Sequence, residues 1–181
     1  NSKDMPIIKI KDGLEVTNKL KPSTDTETHR LIYKNFSEIE SIAHTHSKYA
    51  TAWAQASKSI PNYGTTHSDF CMKSIPCLQF LIQNKVLNKY EYNTGLQIID
   101  FFKKNKSKLT DFPGILIAGH GSFAWSKKKD SSVDNIEIIE FISEVAFYTK
   151  LIGVKKQIPE YLIKKHFYRK NGNKSYYGQK K

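Results

Sequence analysis

Two histidines one residue apart, His44 and His46, close an apolar run in the stretch EIESIAHTHSKYATAWAQ. In an extended strand alternate side chains share a face, so the two imidazoles point the same way, with β-carbons on the order of 7 Å apart and Thr45 on the other side. Two imidazoles so placed can close on one zinc ion through bonds of ~2.0–2.1 Å. Taken alone, the pair is equally the pattern of two ordinary packed or solvated histidines. A third histidine, His120 in LIAGHGSFAW, ends another apolar run between Gly119 and Gly121. A polar residue flanked by glycines, where a strand leaves the core, is a frequent active-site position. Three histidines at strand ends match a catalytic zinc centre, which keeps one coordination position open for substrate. His29, in the middle of a helix, and His166, in a lysine-rich helix, read as surface or packing residues, and His67 in TTHSD stays unassigned. Two acidic candidates lie near these strands: Asp25, just inside a helix start, and Asp69, after GTTHS. An aspartate near a helix start is also a favourable partner of the helix dipole. Either one is catalytic only if it shares a pocket with the metal.

The elements that must position these residues follow from local patterns. MPIIKIKDGLEV alternates around Asp12-Gly13, a hairpin signal. STDTETHRLIYKNF opens on a capping box, Thr24 with Glu27, and predicts a helix. EIESIAHTH predicts a strand, and SKYATAWAQASK a helix with Ser47 as its cap, ended before Pro61. SIPCLQF predicts a strand, and NTGLQIIDFFKKN a helix capped by Asn93 or Thr94. FPGILIAGHGSFAWSK has the apolar content and glycine punctuation of strand, turn and strand. DSSVDNIEIIEFISEVAFYTKLIG predicts a long amphipathic helix closed by Gly153, and IPEYLIKKHFYRKNG another, ending at Asn171-Gly172. The tail NKSYYGQKK is polar. Strands and helices interleave without repeat or linker, so residues 1–181 are expected to form one layered α/β domain.

Composition bounds the partners. The 181 residues, 39% hydrophobic and 12% aromatic, suit a folded domain with a sizeable core rather than a disordered chain. No apolar run approaches the ~20 residues that cross a bilayer, and the start NSKDMPIIKI has neither a signal-peptide pattern nor an initiator Met, the look of a fragment or a processed product. Two cysteines, Cys71 and Cys77, are too few for a disulfide framework, so a reducing cytoplasm is expected. The net charge of +12 invites nucleic acid. Its lysines are scattered, however, and no aromatic-plus-basic signature of an RNA-binding sheet is present. Neither a nucleic-acid nor a membrane partner is expected.

Five blocks in order, HTHSKYATAWAQ, IPNYGTTHSDF, YEYNTG, GHGSFAW and HFYRKNGNKSYYGQ, with KPSTDTETHRLIY upstream of them, resemble the L-ribulose-5-phosphate 4-epimerases of the class II aldolase/adducin-head superfamily over nearly the whole chain. GTTHSDF together with the YYGQ tail is more similar to the epimerases than to the fuculose-phosphate aldolases. The resemblance implies a three-layer αβα sandwich with a mixed, mainly antiparallel sheet, and a homotetramer whose active sites are shared between subunits. It implies Zn2+ or another divalent ion, with His44, His46, His120 and Asp25 at the metal site. Ser23 and Thr24 match hydroxyl residues that contact substrate phosphate. Asp69 and Tyr177 match an acid/base pair, the tyrosine reaching in from a neighbour. Glu91 matches a family glutamate whose role stays open. The implied reaction interconverts L-ribulose 5-phosphate and D-xylulose 5-phosphate through retro-aldol cleavage of the C3–C4 bond and re-addition. The chain departs from the pattern in beginning inside the family's domain, so an open sheet edge or an exposed apolar patch is expected there. Ser122 and Ser126 also stand where the family usually shows Pro and Gly. The alternatives are a class II sugar-phosphate aldolase and a non-catalytic, adducin-head-like interaction domain. The retention of all three histidines argues against the last.

Overall fold

The architecture, a computed structural model, is described for residues 5–16, 20–154, 156–172 and 175–177. In chain order the elements are α1 (Thr26–Asn35), β1 (Ser41–Thr45), α2 (Lys48–Gln55), α3 (Thr65–Phe70), β2 (Cys77–Leu78), α4 (Gln83–Leu87), α5 (Tyr90–Lys104), a 3-10 turn (Leu109–Asp111), β3 (Gly114–Ile117), β4 (Gly121–Ser126), α6 (Ser131–Ile152) and α7 (Glu160–Lys170). Contacts divide them into two compact units, one of Asn1–Glu40 with Phe80–Ser107, the other of Ser41–Gln79 with Lys108–Lys181.

The second unit holds the sheet, in the order β1-β4-β3-β2. β1 and β3 pair antiparallel with β4, and β2 pairs parallel with β3, so the sheet is mixed and mainly antiparallel, as expected. β3 is the apolar run GILI, buried throughout, and β4 is buried from Gly121 to Trp125. α2 and α6 pack against this sheet around Ala50, Trp53, Ala54, Leu116, Ala124, Ile136 and Ile139. The approach of α6 is close: a β-carbon on Gly114 would meet Ile139 Cδ1 at 2.4 Å and the Phe123 carbonyl at 2.6 Å. Trp53 ties α2 to α6 by donating its indole N–H to the Ser143 carbonyl, 3.0 Å away.

In the first unit α1 packs on α5. Small residues permit it: a β-carbon on Gly95 would lie 2.9 Å from Leu31 Cδ1, and buried Thr28 donates to the Glu91 carbonyl at 2.7 Å. Phe36 and Phe102 meet edge to face with centroids 5.8 Å apart. The hairpin around Asp12-Gly13 forms with a single bridge, Ile8 to Glu15, and Gly13 takes the left-handed φ of +79° that the turn requires. Ile7, Ile10, Leu14, Val16, Leu20, Phe80, Ile82 and Leu87 in this unit are exposed.

Four local expectations are corrected. The Thr24–Glu27 box does not form; Asp25 stands at the N-cap of α1 with no side-chain cap, because Glu27 takes the Arg30 guanidinium at 2.8 Å instead. α5 begins at Tyr90, earlier than Asn93 or Thr94, after Lys89 in the left-handed region at φ 58°. Thr94 then bonds back to the Tyr90 carbonyl from inside the helix. β2 shrinks to two residues, since Pro76 has no N–H for the ladder. α6 is not amphipathic. Beside its buried face of Ile136, Ile139, Ile142 and Ala146 it exposes Phe141, Val145, Tyr148, Leu151 and Ile152. Among the described residues no helix is long and apolar enough to cross a membrane.

Candidate metal centre

β1 and β4 pair with His44 opposite Phe123 and Thr45 opposite Ser122, and His46 follows directly on β1. The β3–β4 turn carries His120, whose N–H bonds to the Ile117 carbonyl at 3.0 Å. Gly119, at φ +69°, makes that turn possible. The antiparallel register thus brings the end of β1 beside the start of β4, and three imidazoles converge there. Their centroids are 4.7, 4.9 and 5.0 Å apart, and one ligand nitrogen from each lies within 4.8 Å of the others.

The setting fits a metal. His44 Nδ1 lies 2.9 Å from the Ser122 carbonyl, which can only accept, so Nδ1 carries the proton and Nε2 is left with its lone pair. The His44 ring also stacks on Phe123, centroids 4.1 Å apart, which fixes its plane. Gly121 has to be glycine for the imidazoles to close. A β-carbon there would meet the Thr45 carbonyl at 2.6 Å and His46 Cδ2 at 2.8 Å. A tetrahedral ion with bonds of ~2.0–2.1 Å draws its ligand atoms to about 3.4 Å from one another, a small side-chain adjustment here. Three nitrogen donors leave such an ion one position short, the arrangement of a catalytic rather than a structural site.

The other candidate residues lie on other elements. Ser23, Thr24 and Asp25 lie in the first unit at the start of α1, where Ser23 Oγ accepts from the Asp25 N–H at 3.3 Å. Asp69 lies on α3, half-buried against α7. Its carboxylate accepts from Arg169 through both oxygens, at 2.9 and 2.7 Å, from His166 Nδ1 at 3.1 Å, and pairs with Lys170 Nζ at 3.2 Å. Burial pushes its pKa up, but the bonds from Arg169, Lys170 and His166 outweigh that and hold it at about 2. Tyr177 joins the same cluster: its N–H bonds to the Arg169 carbonyl at 3.0 Å, and the Arg169 guanidinium sits 4.6 Å over its ring. The residue is 58% exposed. His166 is thus a half-buried packing residue that also bonds Asp69, and Arg169, which the sequence does not mark out, is the carboxylate's main partner. The spacing of His166, Arg169 and Lys170, three and four apart on one helix, is the signal that sets them on one face.

His67 is buried on α3, with Nε2 3.0 Å from the Lys73 carbonyl. Burial pushes its pKa down from 6.5 to about 4. The native state therefore disfavours the imidazolium. Stability is full above pH 6.5, erodes as the pH falls, and by pH 4 has lost about 3 kcal/mol, at ~1.36 kcal/mol per unit. Urea unfolding of the wild type and of His67→Gln at pH 7 and pH 4 checks this. The wild type is expected to lose the larger share, and a parallel loss in both proteins would remove His67 from the acid response.

Residues 1–147 match the model of the class II aldolase and adducin N-terminal domain. The chain belongs to that family. It is 41% identical over 180 residues, 98% of this chain and 74% of the relative, to a probable L-ribulose-5-phosphate 4-epimerase, UlaF, of Mycoplasma pneumoniae. It is 40% identical over 178 residues, 98% of this chain and 77% of the relative, to the L-ribulose-5-phosphate 4-epimerase UlaF of Salmonella paratyphi B. Among solved structures it superposes on an L-fuculose 1-phosphate aldolase with a TM-score of 0.70 at 17% identity, covering 92% of this chain and 71% of the other. That likeness establishes the class II aldolase fold for this chain.

Proposed function

We propose that this member of the class II aldolase and adducin family is a metal-dependent L-ribulose-5-phosphate 4-epimerase. The observation that carries the reading is the convergence of His44, His46 and His120 on one open-sided point, in a chain about two-fifths identical to proteins named as that epimerase. The proposed ligands are these three imidazoles with Asp25, and the ion is Zn2+ or another divalent cation. When bound it supplies positive charge beside the oxygens on which negative charge develops.

The chemistry asked of the chain follows from the substrate. C4 of a 2-pentulose 5-phosphate carries a hydroxyl but no acidic proton, so deprotonation cannot invert it. Cleavage can. As the C3–C4 bond breaks, the C4 hydroxyl gives up its proton and becomes an aldehyde, and the bonding pair passes into an enediolate of dihydroxyacetone. Glycolaldehyde phosphate then turns its other face, C3 re-attacks, and a proton returns to the new C4 oxygen. In this reading Ser23 and Thr24 hold the phosphate end while the aldehyde turns. Asp69 and Tyr177 take and return the proton from opposite faces. The lone pairs of Asp69 are fully engaged by His166, Arg169 and Lys170, so one of these must let go before Asp69 accepts a proton. Tyr177, an exposed phenol that both donates and accepts, has no such barrier. The reading includes a cytoplasmic homotetramer in which Tyr177 serves a neighbouring subunit's metal. The outward apolar face of α6 supports subunit packing, and the free thiols of Cys71 and Cys77 suit a reducing compartment.

The deciding experiment is product analysis. Zinc-loaded protein given L-ribulose 5-phosphate is expected to form D-xylulose 5-phosphate, followed by carbon NMR, without accumulating fragments. Build-up of dihydroxyacetone and glycolaldehyde phosphate would make the protein an aldolase. Absence of any turnover in the loaded oligomer would leave only the interaction-domain alternative.

A further inference from the structure

The residue after the second histidine is held by an unusual partner. Ser47 stands at the N-cap of α2 in an extended conformation, φ −65° and ψ 146°, yet its side chain caps nothing on its own helix. Its hydroxyl donates instead to Glu140 Oε2 at 2.7 Å. The same carboxylate then takes the two helix-start amides that a capping serine would have served: Tyr49 N–H to Oε1 at 2.9 Å, and Ala50 N–H to Oε2 at 2.9 Å. One side chain from α6, about ninety positions away, thus closes the first turn of α2 with three bonds. α6 is itself seated on the sheet through Ile139 against Gly114.

His46 needs such an anchor. It is the exposed member of the histidine cluster, so little packing fixes it. On its N-terminal side Thr45 is registered against Ser122 of β4. On its C-terminal side the chain turns at once into α2, and the contacts that stop that turn from drifting are those of Glu140. We propose that Glu140 is a positioning residue of the metal centre, holding the 47–50 turn so that His46 stays within ligand distance of His44 and His120. Donor atoms must be set to within about half an ångström for a site to bind well, and partners that orient ligands typically change metal affinity 10–100-fold when removed. The inference rests on the three histidines being the metal ligands.

The test is zinc affinity of the intact chain at pH 7, measured by competition with a chromogenic chelator, with unfolding curves in parallel. Glu140→Ala is expected to raise the zinc Kd by about 10–100-fold, and Glu140→Gln, which keeps one acceptor oxygen, by less. Trp53→Phe is the control: it removes a different bond between α2 and α6, that from the indole to the Ser143 carbonyl, lowers stability, and is expected to leave the zinc Kd unchanged. His46→Ala reports on the underlying assignment. A wild-type Kd in Glu140→Ala, or in Glu140→Gln if the alanine variant does not fold, overturns the positioning role while the metal assignment stands. Equal weakening by Trp53→Phe also overturns it, since affinity would then merely follow the loosening of α2 from α6. Undiminished zinc binding by His46→Ala overturns both.

Discussion

Replacing His46 with alanine is expected to abolish stoichiometric zinc binding, from about one ion per chain to a trace after dialysis, read by elemental analysis. The proposed centre draws three of its ligands from imidazoles, and loss of one leaves two imidazoles, with only Asp25 beside them, on a surface open to water, short of the four donors of a closed tetrahedral site. The same substitution should cost the metal-free fold little. His46 is exposed, lies just past the end of β1, and contributes no hydrogen bond to the sheet register. Exposed substitutions of this kind usually stay within about 0.5 kcal/mol. That contrast gives the experiment its force: a wild-type melting curve in the absence of metal shows that any loss of zinc comes from the missing donor and not from unfolding. A His46→Ala protein that retains its full zinc content would sink the assignment of the centre to His44, His46 and His120.

Tyr177→Phe is expected to lower turnover by about 10²–10⁴-fold, the usual scale for one acid/base group, with zinc content unchanged. The substitution deletes one oxygen from an exposed ring and leaves the stacking over Arg169 in place, so the fold and the metal site have no reason to respond. The structure also says which mixing experiment is informative. Within one chain Arg169 binds Asp69 through both carboxylate oxygens and lies over the Tyr177 ring, so the proposed acid/base pair moves as a single piece. If that piece serves a neighbour's metal, chains carrying Tyr177→Phe should be rescued by chains carrying His46→Ala. A mixed oligomer then contains sites with an intact metal centre facing an intact Asp69 and Tyr177. Mixing Tyr177→Phe with Asp69→Asn should rescue nothing, because each chain has damaged the same piece. Activity regained in verified oligomers of the second mixture but not the first would separate Asp69 from Tyr177. Wild-type turnover in Tyr177→Phe would remove the phenol from the mechanism altogether.

The elements of the fold were legible where a local pattern carries its own physics. The GILIAGHGSFAW stretch reads as strand, turn and strand because an apolar run must be buried and glycine is needed where the chain reverses, and β3 and β4 form there. His-x-His in an extended run puts two imidazoles on one side by the strand period alone, and the cluster forms with His120 as expected. Strict periodicity could not show where side chains find partners far along the chain. Glu27 reads equally well as a capping residue and as the partner of Arg30, and only the folded geometry chooses the second. The partners of Asp69 lie 97 and 100 positions away on α7, and the cap of α2 comes from Glu140 on α6. Such pairs depend on how whole helices pack, a sum over many weak contacts that no short window of sequence contains. The outer face of α6 belongs to the same class. Its sequence reads as an amphipathic helix, and only when Ile139 seats against Gly114 does the apolar character of the opposite, exposed face become visible.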